Sequence, residues 1–201
     1  MCIRDRNYVG AFFIFSGWVK AVDPLGTAYK MQDYFNQFEF VFEETWFSFI
    51  TPIFPILTDY AVGFSVFVIV FEIVLGAMLI LGHKPKFTSW AFLLLVVFFT
   101  ILTGFTYLTG YVPGDVNFFS FSSWGEFNEN NMKVTDCGCF GDFIKLEPFV
   151  SFQKDLVLLV PAVFFLLKSK TMHTIFSKTV RNIGVTALSL GLIYYLSLIH
   201  I

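Results

Sequence analysis

Charged residues are scarce in this chain. They make up 14% of its 201 residues, whereas hydrophobic residues make up 56%, and soluble domains carry about 25% charged residues. This deficit excludes an ordinary soluble globular protein and predicts an integral membrane protein. The net charge of −2, without a basic patch interleaved with aromatic residues, gives no indication of a nucleic-acid partner.

Compact catalytic motifs are also missing. The sequence contains no phosphate-binding loop, no dinucleotide fingerprint, no HExxH motif and no CxxCH haem motif. Interrupted hydrophobic segments do not recur in two halves, which disfavours a small-solute transporter. Cysteine is rare as well, with 3 residues. Two of them stand one residue apart, and this pair, Cys137 and Cys139, offers the ready-made covalent chemistry of the chain.

Both ends of the chain resemble a sequencing adapter. Residues 196–201 are those encoded by CTG TCT CTT ATA CAC ATC, which is similar to the mosaic-end adapter of transposase library preparation. The reverse complement of that adapter encodes the first residues of the chain. We therefore expect residues 1–6 and 196–201 to be artefacts and the natural protein to be longer. Cys2 then drops out, which leaves Cys137 and Cys139 as the native cysteines.

The hydrophobic runs predict an all-α membrane protein, built as a four-helix transmembrane bundle. A span needs about 20 apolar residues, and four runs approach that length before a fifth begins. The expected spans lie at residues 8–22, 60–81, 88–108, 150–167 and, as a truncated fifth helix, 182–195. The bundle then forms a domain over residues 7–167, and residues 168–181 form a basic cytoplasmic loop.

An amphipathic helix is expected between the first two spans. Within residues 27–41, apolar side chains recur at helical spacing with charged residues between them: Met31, Tyr34, Phe35 and Phe38. We expect this helix to lie on the outer membrane surface and to cover the bundle. The next apolar stretch, residues 47–57, is short and broken by prolines, so it predicts a re-entrant or interfacial piece.

Basic and acidic residues separate into opposite loops. Residues 83–86 and 168–181 carry basic residues and no acids, whereas the loops after the first and third spans are rich in acids. By the positive-inside rule, the basic loops are cytoplasmic. The loop with the two cysteines then faces outward, to a periplasm or its equivalent, where disulfides persist.

The cysteine pair has three interpretations. A disulfide between residues i and i+2 closes a small, strained ring, and strained disulfides tend to be labile or catalytic. Cys137 and Cys139 are therefore interpreted first as a site of redox change or exchange with a partner. A static structural disulfide is the second interpretation. Metal binding is the weakest, because a soft-metal site requires more ligands.

Four charged residues in or near the spans are further site candidates. Glu72 lies inside the second span, where a charge costs about 2.5–3.5 kcal/mol on insertion scales. It either handles protons or is a neutral glutamic acid that hydrogen bonds to a neighbouring helix. Lys20, Lys154 and Asp155 lie near outer span ends and are expected in one layer beneath the cysteine loop. A lysine there favours the reactive thiolate; the alternative is snorkelling to the interface. We expect Asp155 to pair with Lys20 or Lys154.

Threonines recur in the third span. Thr100, Thr103 and Thr106 stand three residues apart. Hydroxyl groups in membrane helices commonly hydrogen bond to neighbouring helices, so these threonines are expected to be structural.

The sequence resembles a known group of membrane proteins over most of its length. The GAFFIFSG run at residues 10–17, with Lys20 and the DPLG run at residues 23–26, resembles the first span of the DoxX-like family. The CGCFG run at residues 137–141, with Asp155 opening the fourth span, looks like the related MauE-type proteins. A pattern in the second span fits the same group: Glu72, Gly76 and Gly82.

This resemblance implies a four-helix membrane unit linked to thiol or quinone electron transfer. MauE-type members are associated with disulfide formation in a periplasmic partner enzyme, and DoxX with a quinone-reducing complex. We therefore expect a multi-pass protein of a bacterial inner membrane, with a periplasmic thiol-disulfide protein as its partner and quinone as the candidate cofactor.

In the resulting hypothesis, Cys137 and Cys139 pass electrons between an external thiol protein and a membrane acceptor such as quinone. The intramembrane charges tune the thiols and handle protons. The alternative is a non-catalytic membrane scaffold, whose loop disulfide holds a docking surface for a partner.

Overall fold

The computed structural model describes residues 3–43, 45–114, 116–132, 134 and 146–200, with side chains through Leu198. Every regular element within these ranges is helical, which confirms the all-α class. The α-helices are α1 (Ile3–Val22), α2 (Pro24–Glu43), α3 (Ile53–Asp59), α4 (Ala61–Leu81), α5 (Pro85–Thr109), α6 (Pro148–Leu167) and α7 (Lys178–His200). Short 3-10 turns lie at Ser48–Ile50, Phe121–Ser123, Glu129–Asn131 and Ser169–Thr171.

Helices α4, α5 and α6 are long and apolar enough to cross a membrane. Their ends follow from local chemistry. Helix α4 stops at Gly82, whose φ of 65° is a conformation that glycine adopts without strain. Helices α5 and α6 begin at Pro85 and Pro148, because proline fits the first helical turn. The predicted spans at these positions are confirmed as helices, and a multi-pass membrane protein follows.

Helix α1 packs along α4 through a seam of glycines, namely Gly10, Gly17 and Gly76. A Cβ atom added to Gly76 would lie 2.6 Å from the Gly10 carbonyl oxygen, and one added to Gly17 would lie 2.6 Å from Ile73 Cγ1. The two backbones therefore touch, as small residues allow in membrane helix pairs. Since Gly10 faces Gly76 and Gly17 faces Ile73, the two helices run antiparallel.

Aromatic rings connect the other helices to this pair. The Phe13 ring of α1 meets the Phe92 ring of α5 edge-on, at 4.8 Å between centroids, and Phe92 lies 5.8 Å from Phe165 of α6. All three rings are buried. Close to them, the Ser89 hydroxyl donates to the Phe165 carbonyl at 3.1 Å. The core therefore runs from α1 through α5 to α6.

Helix α2 closes one end of the bundle, called here the α2 end. The predicted apolar face is confirmed, because α2 buries Met31, Tyr34 and Phe35. Its Tyr34 hydroxyl lies 2.6 Å from Thr106 Oγ1 of α5, and the Ser65 hydroxyl of α4 donates to the Pro24 carbonyl at 2.9 Å. These contacts fasten α2 across the ends of α4 and α5.

The segment between α2 and α4 is a short surface piece. The 3-10 turn Ser48–Ile50 and helix α3 (Ile53–Asp59) replace a continuous span there. Several of its large apolar side chains remain exposed, with Trp46 91% and Phe49 74% accessible, whereas Phe54 and Leu57 pack against the core. Such a segment exposes apolar surface without crossing the bundle.

Basic residues gather at the opposite end of the bundle, called here the basic end. The Arg6 guanidinium donates to the His173 carbonyl at 2.6 Å and to the Ile80 carbonyl at 3.0 Å. Arg181 donates to the Gly82 carbonyl at 3.0 Å. Two of these carbonyls, those of Ile80 and Gly82, lie at the end of α4, where carbonyl groups lack intrahelical partners. Helix α7 also packs against α4.

Candidate functional site

A buried ion pair joins α1 to α4. Lys20 Nζ lies 2.6 Å from Glu72 Oε2, and the two side chains are 2% and 3% exposed. The glycine seam positions them, because Gly17 and Ile73 bring the helices together beside both residues. The lysine side chain leans back along α1, as helical side chains do, and its ammonium group also donates to Ser16 Oγ at 3.1 Å.

The Lys20 ammonium group also sits over an aromatic ring. Its nitrogen lies 4.7 Å from the centroid of the Phe99 ring on α5, within the range of cation–π attraction. Lys20 therefore has a carboxylate, a hydroxyl and a ring face around it. Because it points into the bundle, the snorkelling alternative is wrong for this residue.

A second charged pair lies on α6, with its carboxylate held by α5. Asp155 is 2% exposed, and its Oδ1 lies 3.2 Å from Lys154 Nζ. Its Oδ2 lies 3.0 Å from the Thr103 hydroxyl, which donates to it. The Lys154 side chain is 21% exposed, so this pair reaches the surface of the bundle through its lysine.

One turn of α5 separates the two pairs. Phe99 and Thr103 stand four residues apart and so share a helix face; the first contacts Lys20 and the second binds Asp155. Asp155 lies seven residues into α6, about 10 Å from the helix start at 1.5 Å per residue. Together, Glu72, Lys20, Phe99, Thr103, Asp155 and Lys154 form what we call the charge layer, which crosses α1, α4, α5 and α6.

Several expectations about this layer can now be compared with the structure. Asp155 pairs with Lys154, one of its two expected partners. Lys20 pairs with Glu72 instead. Glu72 is therefore bonded to a neighbouring helix, as one interpretation expected. That interpretation expected a neutral glutamic acid, however, and the structure places Glu72 in an ion pair with Lys20.

The expected interhelical threonine bonds are confirmed for two positions. Thr103 binds Asp155 of α6, and Thr106 binds Tyr34 of α2. Thr100 instead donates to the Val96 carbonyl of its own helix at 2.7 Å.

Sequence reasoning missed three members of this environment. Ser16 stands four residues before Lys20, so helical spacing could have indicated it. Phe99 is one of 29 phenylalanines and carries no local signal. Tyr34 was assigned to the apolar face of α2 without a partner for its hydroxyl. The cysteine pair, Cys137 and Cys139, lies outside the described residues.

An apolar cleft lies beside the charge layer, between α2, α5 and α6. Its volume is about 360 Å³, and aromatic side chains line most of it, among them Phe38, Phe105 and Phe152. Gly104 leaves room for the Phe152 ring, because a Cβ there would lie 3.0 Å from it. Thr100 is the polar side chain in the wall, and its hydroxyl already donates within α5. The cleft therefore suits an apolar ring or chain.

Comparison with known proteins gives one family. The family model of MauE, described as methylamine utilisation protein MauE, matches residues 6–113, more than half of the chain. The matched segment contains Lys20 and Glu72 and ends before the cysteine pair and α6. Neither the curated proteins nor the solved structures yield a match.

Proposed function

Because the chain belongs to the MauE family of methylamine utilisation membrane proteins, we propose that it is a membrane component of thiol–disulfide electron transfer. In this proposal, Cys137 and Cys139 cycle between dithiol and disulfide, and the charge layer handles the accompanying protons. The observation that carries it is the buried Lys20–Glu72 pair. Ionisable residues buried within membrane helices are costly and are usually retained for function.

The proposed orientation places the α2 end outside and the basic end in the cytoplasm of a bacterial inner membrane. Lys84 and Arg181 lie beside His83 at the basic end, which supports this direction. Arg6 does not count toward it, because residues 1–6 are expected to be adapter sequence. Helix α1 then joins α4, α5 and α6 as a fourth span, α7 begins a fifth, and α2 lies on the outer surface. The segment with both cysteines connects α5 to α6 and therefore faces the periplasm.

The proposed reaction balances as a two-electron exchange. A thiolate of a periplasmic partner attacks the Cys137–Cys139 disulfide and forms a mixed disulfide. The partner's second thiol resolves it, so the partner gains a disulfide while Cys137 and Cys139 become a dithiol. Reoxidation of that dithiol releases two electrons and two protons to a membrane acceptor, such as a quinone.

The four charged members of the charge layer and Thr103 each take part in this proposal. Lys154 is partly exposed, so it exchanges protons with the outer surface and passes them to Asp155. Thr103 holds the Asp155 carboxylate in place. Glu72 and Lys20 form the deeper pair. Proton uptake by the Glu72 carboxylate would leave the pair with the single positive charge of the Lys20 ammonium group, and proton release would restore the neutral ion pair.

The apolar cleft provides a fit for a quinone ring. Its volume of about 360 Å³ lies within the range of small-molecule sites. Phe105 and Phe152 would hold the ring, and Thr100 is the wall residue with a hydroxyl. A bound quinone would supply a two-electron, two-proton acceptor. Thr103, which precedes Gly104 of the cleft lining, connects this wall of α5 to Asp155.

Thiol trapping tests the proposal. The experiment uses a Cys2→Ser background, so that Cys137 and Cys139 are the only thiols in the chain. Membranes are exposed to reductant and then oxidant, and a membrane-impermeant maleimide is added to intact cells or spheroplasts. We expect the pair to switch between labelled and protected states, and to react from the outside.

Two variants sharpen this test. A Glu72→Gln variant should slow reoxidation by about 10²-fold, the lower range for a lost proton-transfer group. The matched Glu43→Gln variant, at an exposed acid at the end of α2, should not. A pair that stays locked as a disulfide through both treatments, in a protein that still binds its partner, would establish the scaffold alternative instead. Labelling of the pair from the cytoplasm would overturn the proposal.

A further inference from the structure

A second cavity lies where α5 ends and α6 begins. Its volume is about 280 Å³, and four rings surround it, from Tyr107, Tyr111, Phe127 and Phe149. Glu129 and Glu147 add two carboxylates. We call it the aromatic–acid cavity, and we propose that it binds an alkylammonium group, presented either by a lysine side chain of a partner protein or by a free amine.

The rings form a partly open enclosure, with Phe127 41% and Phe149 46% exposed. Tyr107 lies 5.3 Å from Phe149 and 5.6 Å from Phe127, and Tyr111 lies 5.3 Å from Phe127, all between ring centroids. The rings meet at angles from 32° to 60°, so their faces point in different directions around the cavity. Ring faces carry negative potential and attract ammonium groups, which is how aromatic cages recognise methylated lysine and choline.

The enclosure is held in place by the backbone. The amide of Asn128 donates to the Gly110 carbonyl at 2.9 Å, and the amide of Gly125 donates to the Tyr111 carbonyl at 2.9 Å. Phe127 lies between these two anchors in the sequence. Its ring packs directly against Gly110, where an added Cβ would lie 2.4 Å from Phe127 Cε2. The loop is thus fastened to the end of α5, and the ring of Phe127 has a fixed position.

The charges favour a cation. Glu129 and Glu147 contribute two full negative charges, and no described residue in the lining carries a positive one. The helix dipole places about half a positive charge at the start of α6, which offsets part of the negative charge of the two carboxylates. Because α6 begins with Pro148, one of its first backbone donors is absent as well. The carboxylates therefore outweigh the dipole, and an anion would be repelled.

The size and place of the cavity indicate its occupant. At about 280 Å³ it is smaller than a typical drug-sized site, so it suits an ammonium head with a short alkyl chain. Met132 and Glu147 line it, and these residues flank the sequence that contains Cys137 and Cys139. A partner's lysine held here would be anchored next to that segment. The binding itself does not depend on the redox function.

Binding of small probes to the full chain in detergent tests the inference. Ligand-observed NMR would compare N-acetyl-lysine-methylamide with N-acetyl-norleucine-methylamide, a neutral analogue that lacks the ammonium group. n-Butylamine serves as the free-amine arm. We expect saturable binding of the lysine probe at millimolar concentrations, and binding of the norleucine probe at least about tenfold weaker, a difference of about 1.4 kcal/mol.

Variants distinguish this cavity from general acidity of the loop. The double variant Glu129→Gln/Glu147→Gln should weaken binding of the lysine probe by about tenfold or more, and Phe149→Leu should weaken it severalfold. The matched controls are Glu126→Gln, an acid that lines a neighbouring cavity, and Phe121→Leu, an exposed ring of the same loop. Both controls should stay within about twofold of the parent.

The two sources of the ammonium group are separated by the arms of the experiment. Preference for the lysine probe points to a partner's side chain, and equal binding of n-butylamine points to a free amine. The inference is overturned if the neutral probe competes as well as the lysine probe, if binding does not saturate, or if the control variants lose as much affinity as the cavity variants.

Discussion

Removing the charge of Lys20 should destabilise the bundle strongly, and removing Glu72 as well should restore much of the loss. At 2.6 Å and an effective dielectric constant of about 20, the attraction between the two charges is about 6 kcal/mol. Desolvation of each ion costs several kcal/mol, so the intact pair contributes little net stability. A Lys20→Met variant keeps the desolvation cost of Glu72 and loses the attraction, so it should lower the free energy of unfolding by about 3–5 kcal/mol.

A double-mutant cycle measures this coupling. The variants are Lys20→Met, Glu72→Gln and their combination, and the assay is equilibrium unfolding in mixed micelles. We expect the double variant to be more stable than Lys20→Met alone and the coupling energy to reach about 2–3 kcal/mol, the upper range for residues in direct contact.

Lys154→Met is the matched control for the cycle. Its side chain is 21% exposed, and Thr103 still donates to Asp155, so the loss should be about 1 kcal/mol or less. The interpretation of a tight buried pair would be refuted if Lys20→Met left the free energy of unfolding unchanged. It would also be refuted if the effects of the two single substitutions simply added in the double variant.

Two further predictions concern the packing seam and the basic end. Gly76→Ala would place a Cβ 2.6 Å from the Gly10 carbonyl oxygen, so it should lower the stability of the fold by about 1–3 kcal/mol through overpacking. Gly63→Ala has open space around it, so it should leave the stability unchanged or raise it by up to about 1 kcal/mol. Equal unfolding midpoints for these variants would contradict the seam. His83 is buried, and this burial, together with the charges of Lys84 and Arg181, lowers its pKa below the ordinary value. As the pH falls, His83 therefore takes up a proton in the unfolded chain before it does so in the folded protein. Its contribution to stability should be complete above about pH 7 and should decline as the pH falls through about 6.5. A His83→Gln variant should flatten this decline in pH-dependent unfolding, and an unchanged pH dependence would contradict the role of His83.

Much of the helical structure could be predicted from local sequence. The second, third and fourth expected spans correspond to α4, α5 and α6 because each is a long apolar run bounded by a proline or a glycine, such as Pro85, Pro148 and Gly82. The buried face of α2 followed from the spacing of Met31 and Tyr34. In both cases the determining information lies within one helical element.

The partners within the charge layer could not be predicted in the same way. Lys20 and Glu72 are 52 positions apart, and hydrophobic periodicity does not state which helices touch. Their meeting depends on the contact between Gly10 and Gly76, and both glycines were noted in the sequence without an assigned packing role. The choice of Phe99 among so many phenylalanines depends on tertiary packing alone.

The glycine contact between α1 and α4 also constrains how this protein can move. Because the backbones of α1 and α4 are in direct contact, neither helix can rotate or slide without a steric clash against the other. The two helices should therefore move as one rigid body. Helix α6 is different, since its buried residues are limited to Ser151, Asp155, Ala162 and Phe165. Any rearrangement that accompanies the proposed electron transfer should therefore fall to α6, which would carry Asp155 toward or away from a stationary Lys20.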